Sequence, residues 1–412
     1  MHNVIGLKCT GCGREFEPRG MHYVCDRCGK NLDVVYDYGV IRKKLTRETL
    51  AANTDFSVWR YWDLYPLEDH SAVMPLSIGW SPLYRAEALG RLLGMQKLLL
   101  KDDGKNPSAS FKDRASSVAV AKAVELGFDK ICGASTGNAA SSTACLCASI
   151  GLSPIIFVPE SAPKAKIAQL LIFGAKVFAV KGSYDAAFDL CLEATAEYGW
   201  YNRNTGYNPY TREGKKSCSF EICEQLNWEV PDLVLVPVGD GNIISGIWKG
   251  FKDLHGVGLI QSLPALVAVQ SEKSSAVANA VNGDGVIRPV KATTIADSIS
   301  VDLPRDGDMA VRAVKESKGM AVAVSDEEIL GTIPMLARTC GIFAEPAGAT
   351  SVAGLRKLIA DGKLSGSERV VCLITGNGLK DIDTAMKIAG KTISIEPELA
   401  SLKKAIAAAG IE

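Results

Sequence analysis

Lys112 is the residue whose placement most suggests chemistry. It stands in Asn106-Pro107-Ser108-Ala109-Ser110-Phe111-Lys112-Asp113-Arg114, where Asn106-Pro107 ends an apolar run and Ser108 or Ser110 can cap a helix beginning near Phe111. In the first turn of that helix the positive end of the dipole disfavours an ammonium ion and lowers its pKa. A lysine so placed is a poor structural choice and a good amine nucleophile, although taken alone a solvated lysine paired with Asp113 explains it equally. Three glycine-rich turns accompany it: Gly133-Ala134-Ser135-Thr136-Gly137-Asn138, Gly239-Asp240-Gly241-Asn242-Ile243, and Thr375-Gly376-Asn377-Gly378. Small residues let the backbone approach a ligand, and the N–H groups from Ser135 to Asn138 open a helix, which makes a seat for a carboxylate or phosphate. Asp240 would repel such an anion unless its side chain points away. Any one of these turns reads as a plain tight turn; several in matching places, with a lysine, read as a site.

A second constellation lies at the N-terminus. Cys9, Cys12, Cys25 and Cys28 are spaced C-x2-C-x12-C-x2-C, so that two short turns can present four thiolates to one tetrahedral ion. Gly11, Gly13 and Gly29 suit the tight turns such knuckles need. Two disulfides would use the same residues, but a reducing compartment disfavours them. The expected site is a closed, structural zinc ribbon that folds residues 1 to about 40 and does no chemistry. The other eight cysteines sit in apolar or helical contexts and are expected in the core. With only four histidines, a histidine-centred mechanism has few candidates.

Alternating strand and helix must position these residues. Apolar runs rich in β-branched residues recur at 97–101, 130–133, 154–158, 176–180, 233–238, 265–269 and 370–375, with helical spacing between them, as at 116–126 and 184–198. That alternation predicts parallel sheets covered by helices, with the site beyond the C-terminal ends of the strands. The 412 residues predict two or three domains.

Composition narrows the partners. Lys+Arg and Asp+Glu number 46 each and 47% of residues are hydrophobic, which excludes disorder as the main state and argues against nucleic acid as the main partner. No apolar run is long enough and free enough of breakers to span a bilayer. Met1-His2-Asn3-Val4 does not begin a charged and then apolar leader, so the expected location is the cytoplasm.

The motifs from Asn106 to Arg114, Ser135 to Ala139, Gly239 to Asn242 and Thr375 to Asp381 together resemble those of the threonine synthases, in the tryptophan-synthase-β-like group of pyridoxal-phosphate enzymes. The resemblance runs in order from Ser81-Pro82-Leu83-Tyr84 to Asp381, and some members carry a four-cysteine ribbon as well. It implies two interleaved three-layer α/β/α domains behind a zinc ribbon: residues 1–40 the ribbon, 41–125 with 220–412 the larger cofactor domain, 126–219 the smaller domain. A homodimer is implied too.

The resemblance also implies roles. Lys112 would form the Schiff base, Asn138 would hydrogen-bond the ring hydroxyl, and Thr375 would hydrogen-bond the pyridine nitrogen. The turn of Gly239, Asp240, Gly241, Asn242 and Ile243 would hold the cofactor phosphate through its backbone amides. Ser135, Thr136 and Gly137 would seat the substrate carboxylate. The reaction implied is that of a carbon–oxygen lyase acting on a phosphate: O-phospho-L-homoserine and water give L-threonine and phosphate. Candidate donors to the substrate phosphate are Lys164, Lys166, Asn208, Arg212, Lys215 and Lys216, while Arg114 and Asp113 suit a structural ion pair. Many members read Gly at the positions of Ala109 and Ala115, His at Asn377 and Gln at Lys215, changes that bear on the substrate more than the cofactor. Rivals of the same fold are a Ser/Thr ammonia-lyase and an O-phosphoserine β-replacement enzyme. A non-catalytic zinc-ribbon binding module is the rival from another class.

Overall fold

Each of the seven apolar runs becomes a strand, and among the described residues thirteen strands form three sheets in the computed structural model. It describes residues 3–135, 137–162 and 164–411, the last range without the side chains of Lys164 and Ala165. The first sheet is an antiparallel ribbon of β1 (Val4–Cys9), β2 (Glu15–Phe16) and β3 (Leu32–Tyr36). Next come β4 (Leu83–Arg85) and β5 (Lys97–Asp102), then β6 (Ile131–Ala134), β7 (Ile155–Pro159), β8 (Lys176–Val180) and β9 (Tyr201–Asn202). The chain finishes with β10 (Leu233–Pro237), β11 (Ala265–Ser271), β12 (Met320–Val324) and β13 (Arg369–Ile374). The large sheet has the order β12-β11-β10-β13-β5-β4 and the small one β8-β7-β6-β9. Both are parallel throughout except for the edge strand β4.

Strand periodicity explains why helices cover both faces of the large sheet. Val234, Val236, Val371 and Leu373 enter one core, while Leu233, Leu235, Val370, Cys372 and Ile374 enter the other. Side chains alternate across a strand, so a strand apolar at every position must be buried on both sides. The small sheet repeats this, with Ile155 and Phe157 on one face and Ile156 and Val158 on the other.

Two local expectations are corrected. The Lys112–Glu125 helix has no side-chain cap; Ser108 instead gives both its N–H (2.7 Å) and its hydroxyl (2.5 Å) to the Asp113 carboxylate, which is thereby taken up. Arg114 accordingly pairs with Asp103 (2.6 Å) and Glu221 (2.5 Å), not with Asp113. Of the eight non-ribbon cysteines, seven are buried and Cys340 is half-buried. Among the described residues no helix is long and apolar enough to cross a membrane.

Candidate active site

The two parallel sheets turn the C-terminal ends of their strands toward a shared cavity of about 520 Å³. Lys112 reaches it as the first residue of its helix. Its loop follows β5 and lies beside the loop that follows the neighbouring strand β13. Phe111 N donates to Thr375 O (2.9 Å) and Asn377 N to Ala109 O (3.1 Å), so pairing of the strands continues into the loops and sets Lys112 next to Thr375. Ala109 takes φ +62°, the left-handed region where glycine is least strained. The Thr375 hydroxyl lines the cavity and has no hydrogen-bond partner among the described residues.

After β10, Gly241 (φ +90°) precedes the Asn242–Gly256 helix. A Cβ there would lie 2.8 Å from Asp306 O, and one on Gly239 would lie 2.8 Å from Ile299 Cα. The turn can therefore be built only from glycines, and it leaves a helix N-terminus open to an anion. Asn242 is fixed on both sides: it accepts from Lys215 Nζ and donates to Asp306 Oδ2 at 2.9 Å. Asp240 lines the cavity and accepts from Arg305 N at 2.6 Å; burial pushes its carboxyl up to about 6.

After β6, Ser135 and Gly137 line the cavity and Asn138 opens the Asn138–Ala148 helix. Asn138 Nδ2 donates to Glu345 Oε1 (2.7 Å) and Ser298 Oγ (3.3 Å). Thr136 and the side chain of Lys164 lie outside the described residues.

Charges of both signs line the cavity: Lys112, Arg203, Lys215 and Arg305 against Asp185, Asp240, Asp297, Asp302 and Glu345. Lys112 is half-buried, and burial lowers its pKa to about 8 against the opposing pull of Glu345. Lys215 is pushed well below the ordinary lysine range by burial, then by repulsion from Lys112 and Arg203. Burial raises the Glu345 carboxyl, against the attraction of Lys380 and Lys112.

The candidate donors for a substrate phosphate separate. Lys215 lines the cavity, bound to the 239–243 turn. Lys166 instead pairs with Asp297 at the rim. Asn208 is buried, donating to Asn202 O (2.8 Å) and accepting from Tyr210 N (2.9 Å). Arg212 pairs with Asp306 (2.6 Å) and Asp33 (3.3 Å), and Lys216 with Glu213 (2.6 Å) and Asp253 (2.7 Å). None of these last three lines the cavity. The short Tyr210–Lys215 helix is wedged between the Lys112 and Asn242 helices, so most of its polar groups find partners there and in the ribbon. Sequence reasoning overlooked Arg203 and Glu345. Glu345-Pro346 did carry a signal, since proline at N1 marks a helix start that faces the strand ends. Asn377 does not line the cavity.

In the ribbon the four thiol sulfurs lie within 4.8 Å of one another, with Cys9 Sγ 3.3 Å from Cys28 Sγ and Cys12 Sγ 3.6 Å from Cys25 Sγ. These separations suit a tetrahedral ion with metal–sulfur bonds of about 2.3 Å. Burial resists ionisation of Cys9, but the N–H groups of Cys12 and Gly11, each 3.4 Å from its sulfur, bring its pKa down to about 6.

The cavity residues fit pyridoxal phosphate: a lysine with a depressed pKa, a free hydroxyl, and a glycine turn that no larger residue could form. Residues 74–376 match the family model described as pyridoxal-phosphate dependent enzyme. The chain is 40% identical over 400 residues to threonine synthase of Methanocaldococcus jannaschii, covering 96% of this chain and 98% of that protein. It is 38% identical over 405 residues to threonine synthase of Methanosarcina acetivorans, covering 97% and 98%. Among solved structures, processed threonine deaminase isoform 2 of Solanum lycopersicum superposes with a TM-score of 0.64 at 22% identity, over 75% of this chain and 87% of that one. Diaminopropionate ammonia lyase of Escherichia coli gives 0.67 at 16% identity, over 82% and 93%. At such identities the last two likenesses speak to the fold alone.

Proposed function

The chain belongs to the pyridoxal-phosphate dependent enzymes, and among them to the threonine synthases, and we infer that it converts O-phospho-L-homoserine and water to L-threonine and phosphate. The observation that carries this is 40% identity along 96% of the chain to a protein of that name. When bound, the cofactor supplies the electron sink that acidifies hydrogens on the substrate's Cα and Cβ. The protein does the rest by position. Lys112, at about 8, holds roughly a tenth of its amines unprotonated at pH 7. That amine removes the Cα proton and then one from Cβ; phosphate leaves from Cγ with its bonding electrons, protons return to Cγ and Cα, and water supplies the hydroxyl at Cβ, so that the sum is threonine and phosphate. Asn138 and Thr375, which both line the cavity, would orient the ring. Gly239, Asp240, Gly241, Asn242 and Ile243 hold the cofactor phosphate, now joined by Lys215. Ser135 and Gly137, with Thr136 between them, seat the substrate carboxylate.

We read the four-cysteine ribbon as a structural zinc site, a reading supported by its closed set of four sulfurs. The division into 1–40, 41–125 with 220–412, and 126–219 is supported by the three separate sheets. A cytoplasmic homodimer acting on a small phosphorylated amino acid, without nucleic acid or membrane, is the accompanying expectation. The test is purified protein with pyridoxal phosphate, offered phosphohomoserine, phosphoserine, serine and threonine in turn. Threonine and phosphate from phosphohomoserine are expected. A 2-oxo acid and ammonia from threonine, as the main activity, would overturn the reading in favour of an ammonia-lyase.

A further inference from the structure

Four arginines are buried among the described residues. Arg60 pairs with Glu224 (2.7 Å), Arg114 with Asp103 and Glu221, and Arg212 with Asp306 and Asp33. Arg203 alone has no carboxylate partner. Its Nε and Nη2 donate to Ser116 Oγ at 3.2 and 3.1 Å and its Nη1 to Thr205 Oγ1 at 2.9 Å, leaving two of the five guanidinium N–H groups unused. A buried cation with spare donors and no counter-ion is destabilising unless an anion arrives to complete it.

Its position narrows which anion that is. Arg203 directly follows β9, which pairs with β6, and β6 runs into the turn of Ser135 and Gly137. Ser116, which it grips, lies four residues beyond Lys112 on the same helix, so the guanidinium sits on the face that carries Lys112. Arg203 lines the cavity, yet makes no hydrogen bond to the 239–243 turn, to which Lys215 is bound. Neighbouring strand ends are roughly 4.8 Å apart, close to the roughly 6 Å that five bonds span from the carboxylate carbon of phosphohomoserine to its phosphorus.

We propose that Arg203 binds the phosphate of the substrate, with the carboxylate at the end of β6 and the phosphate beside the end of β9. This rests on the phosphohomoserine reading. Arg203 would make a phosphate beyond Cγ a binding requirement and so discriminate against unphosphorylated serine and threonine.

The test compares wild-type, R203Q and R203K holoenzymes. Inorganic phosphate is titrated against cofactor absorbance, KM and kcat are measured with phosphohomoserine, and cofactor dissociation is measured separately. In R203Q, KM and the phosphate dissociation constant are expected to rise about 10- to 100-fold, with kcat changed less and cofactor dissociation unchanged. R203K keeps the charge but loses the fork, so it should fall between the two. If R203Q does not fold, R203K carries the comparison, and phosphate affinity equal to wild type overturns the proposal. So does R203Q that binds phosphate as wild type does, or that loosens the cofactor as much as phosphate, which would place Arg203 on the cofactor instead. Arg203-dependent phosphate binding in a wild type that makes no threonine would sink the substrate reading and leave the anion site standing.

Discussion

Asn138 Nδ2 donates to Glu345 Oε1 at 2.7 Å, and this bond joins the two halves of the site. Asn138 opens the helix that follows β6 of the small sheet, and Glu345 immediately precedes the Pro346–Ala360 helix, which packs on the large sheet. The Glu345 carboxyl also faces the Lys112 amine, since it is the leading charge opposing the burial of Lys112. Glu345 therefore tunes Lys112 while it holds Asn138.

Cofactor capture should report the Lys112 pKa directly. An aldehyde condenses with the free amine, so capture by apoprotein should accelerate with pH and level off above about 8, where an ordinary lysine would still be gaining near 10.4. The same shift has a stability sign. A lysine whose pKa is depressed on folding binds its proton more tightly when unfolded, so stability rises with pH from about 8 toward 10.5. Stopped-flow absorbance of apoprotein mixed with pyridoxal phosphate measures the midpoint, and K112A should show no covalent capture at any pH.

The variant E345Q removes the charge that favours the Lys112 ammonium while keeping an oxygen for Asn138. Burial and the repulsion from Arg203 then act with less opposition, and the capture midpoint should fall below that of the wild type. An unchanged midpoint would mean that Glu345 is neutral where it faces the amine, the direction in which burial pushes it.

Away from the cavity, Glu221 anchors a fully buried ion cluster. It accepts from Arg114 Nη1 (2.5 Å), Arg114 Nη2 (2.7 Å) and Lys101 Nζ (2.7 Å). Burial works against its charge, but Arg114 and Lys101 prevail and hold its pKa at about 2, down from 4.5. Its contribution is therefore complete above about 4.5 and is lost as pH falls toward 2. E221Q should destabilise by about 3 to 5 kcal/mol at neutral pH, because Arg114 is left with Asp103 and Lys101 with no carboxylate. Denaturant unfolding across that acid range should show wild-type stability falling more steeply than that of E221Q.

The parts of this architecture that were legible in the sequence are those governed by local rules. The 97–101 and 370–375 runs are strands because apolar residues at every position need cover on both faces, and Lys112 sits at N1 because Asn106-Pro107 cannot continue a strand. The misread ion pairs involve partners distant in sequence, whereas the misread cap is local, Ser108 bonding to Asp113. Nothing near Arg212 announces Asp306, and nothing near Arg114 announces Glu221. β12 was missed because Met320-Ala321-Val322-Ala323-Val324 is short, alanine-rich and half-buried at a sheet edge. Arg203 escaped because β9 is only two residues long, too short for the eye to register the strand end it follows. Ala109 must adopt a φ of +62°, which glycine would take with less strain and which nothing in the local sequence announces.

The ribbon offers a test of how a metal held by its four cysteines would support the rest of the chain. Asn31 Nδ2 donates to Asp306 Oδ1 at 2.7 Å, and Asp306 also fixes Asn242 of the 239–243 turn. Asp33 pairs with Arg212 (3.3 Å), Lys30 with Asp308 (2.5 Å), and the Tyr23 hydroxyl accepts from Asn202 N (2.7 Å), a residue of β9. So small a sheet buries too little apolar surface to hold its shape alone, and a metal-bound ribbon generally unfolds without its ion. Chelation, or C12S, should therefore do more than release zinc. Global stability should fall, by more than about 4 kcal/mol if the ribbon is lost entirely, and cofactor affinity should weaken as Asp306 loses its ribbon partner. Metal content by atomic spectroscopy, thermal unfolding and cofactor titration of the same samples check this together. If cofactor affinity is unchanged in protein stripped of metal, Asp306 holds Asn242 without help from the ribbon.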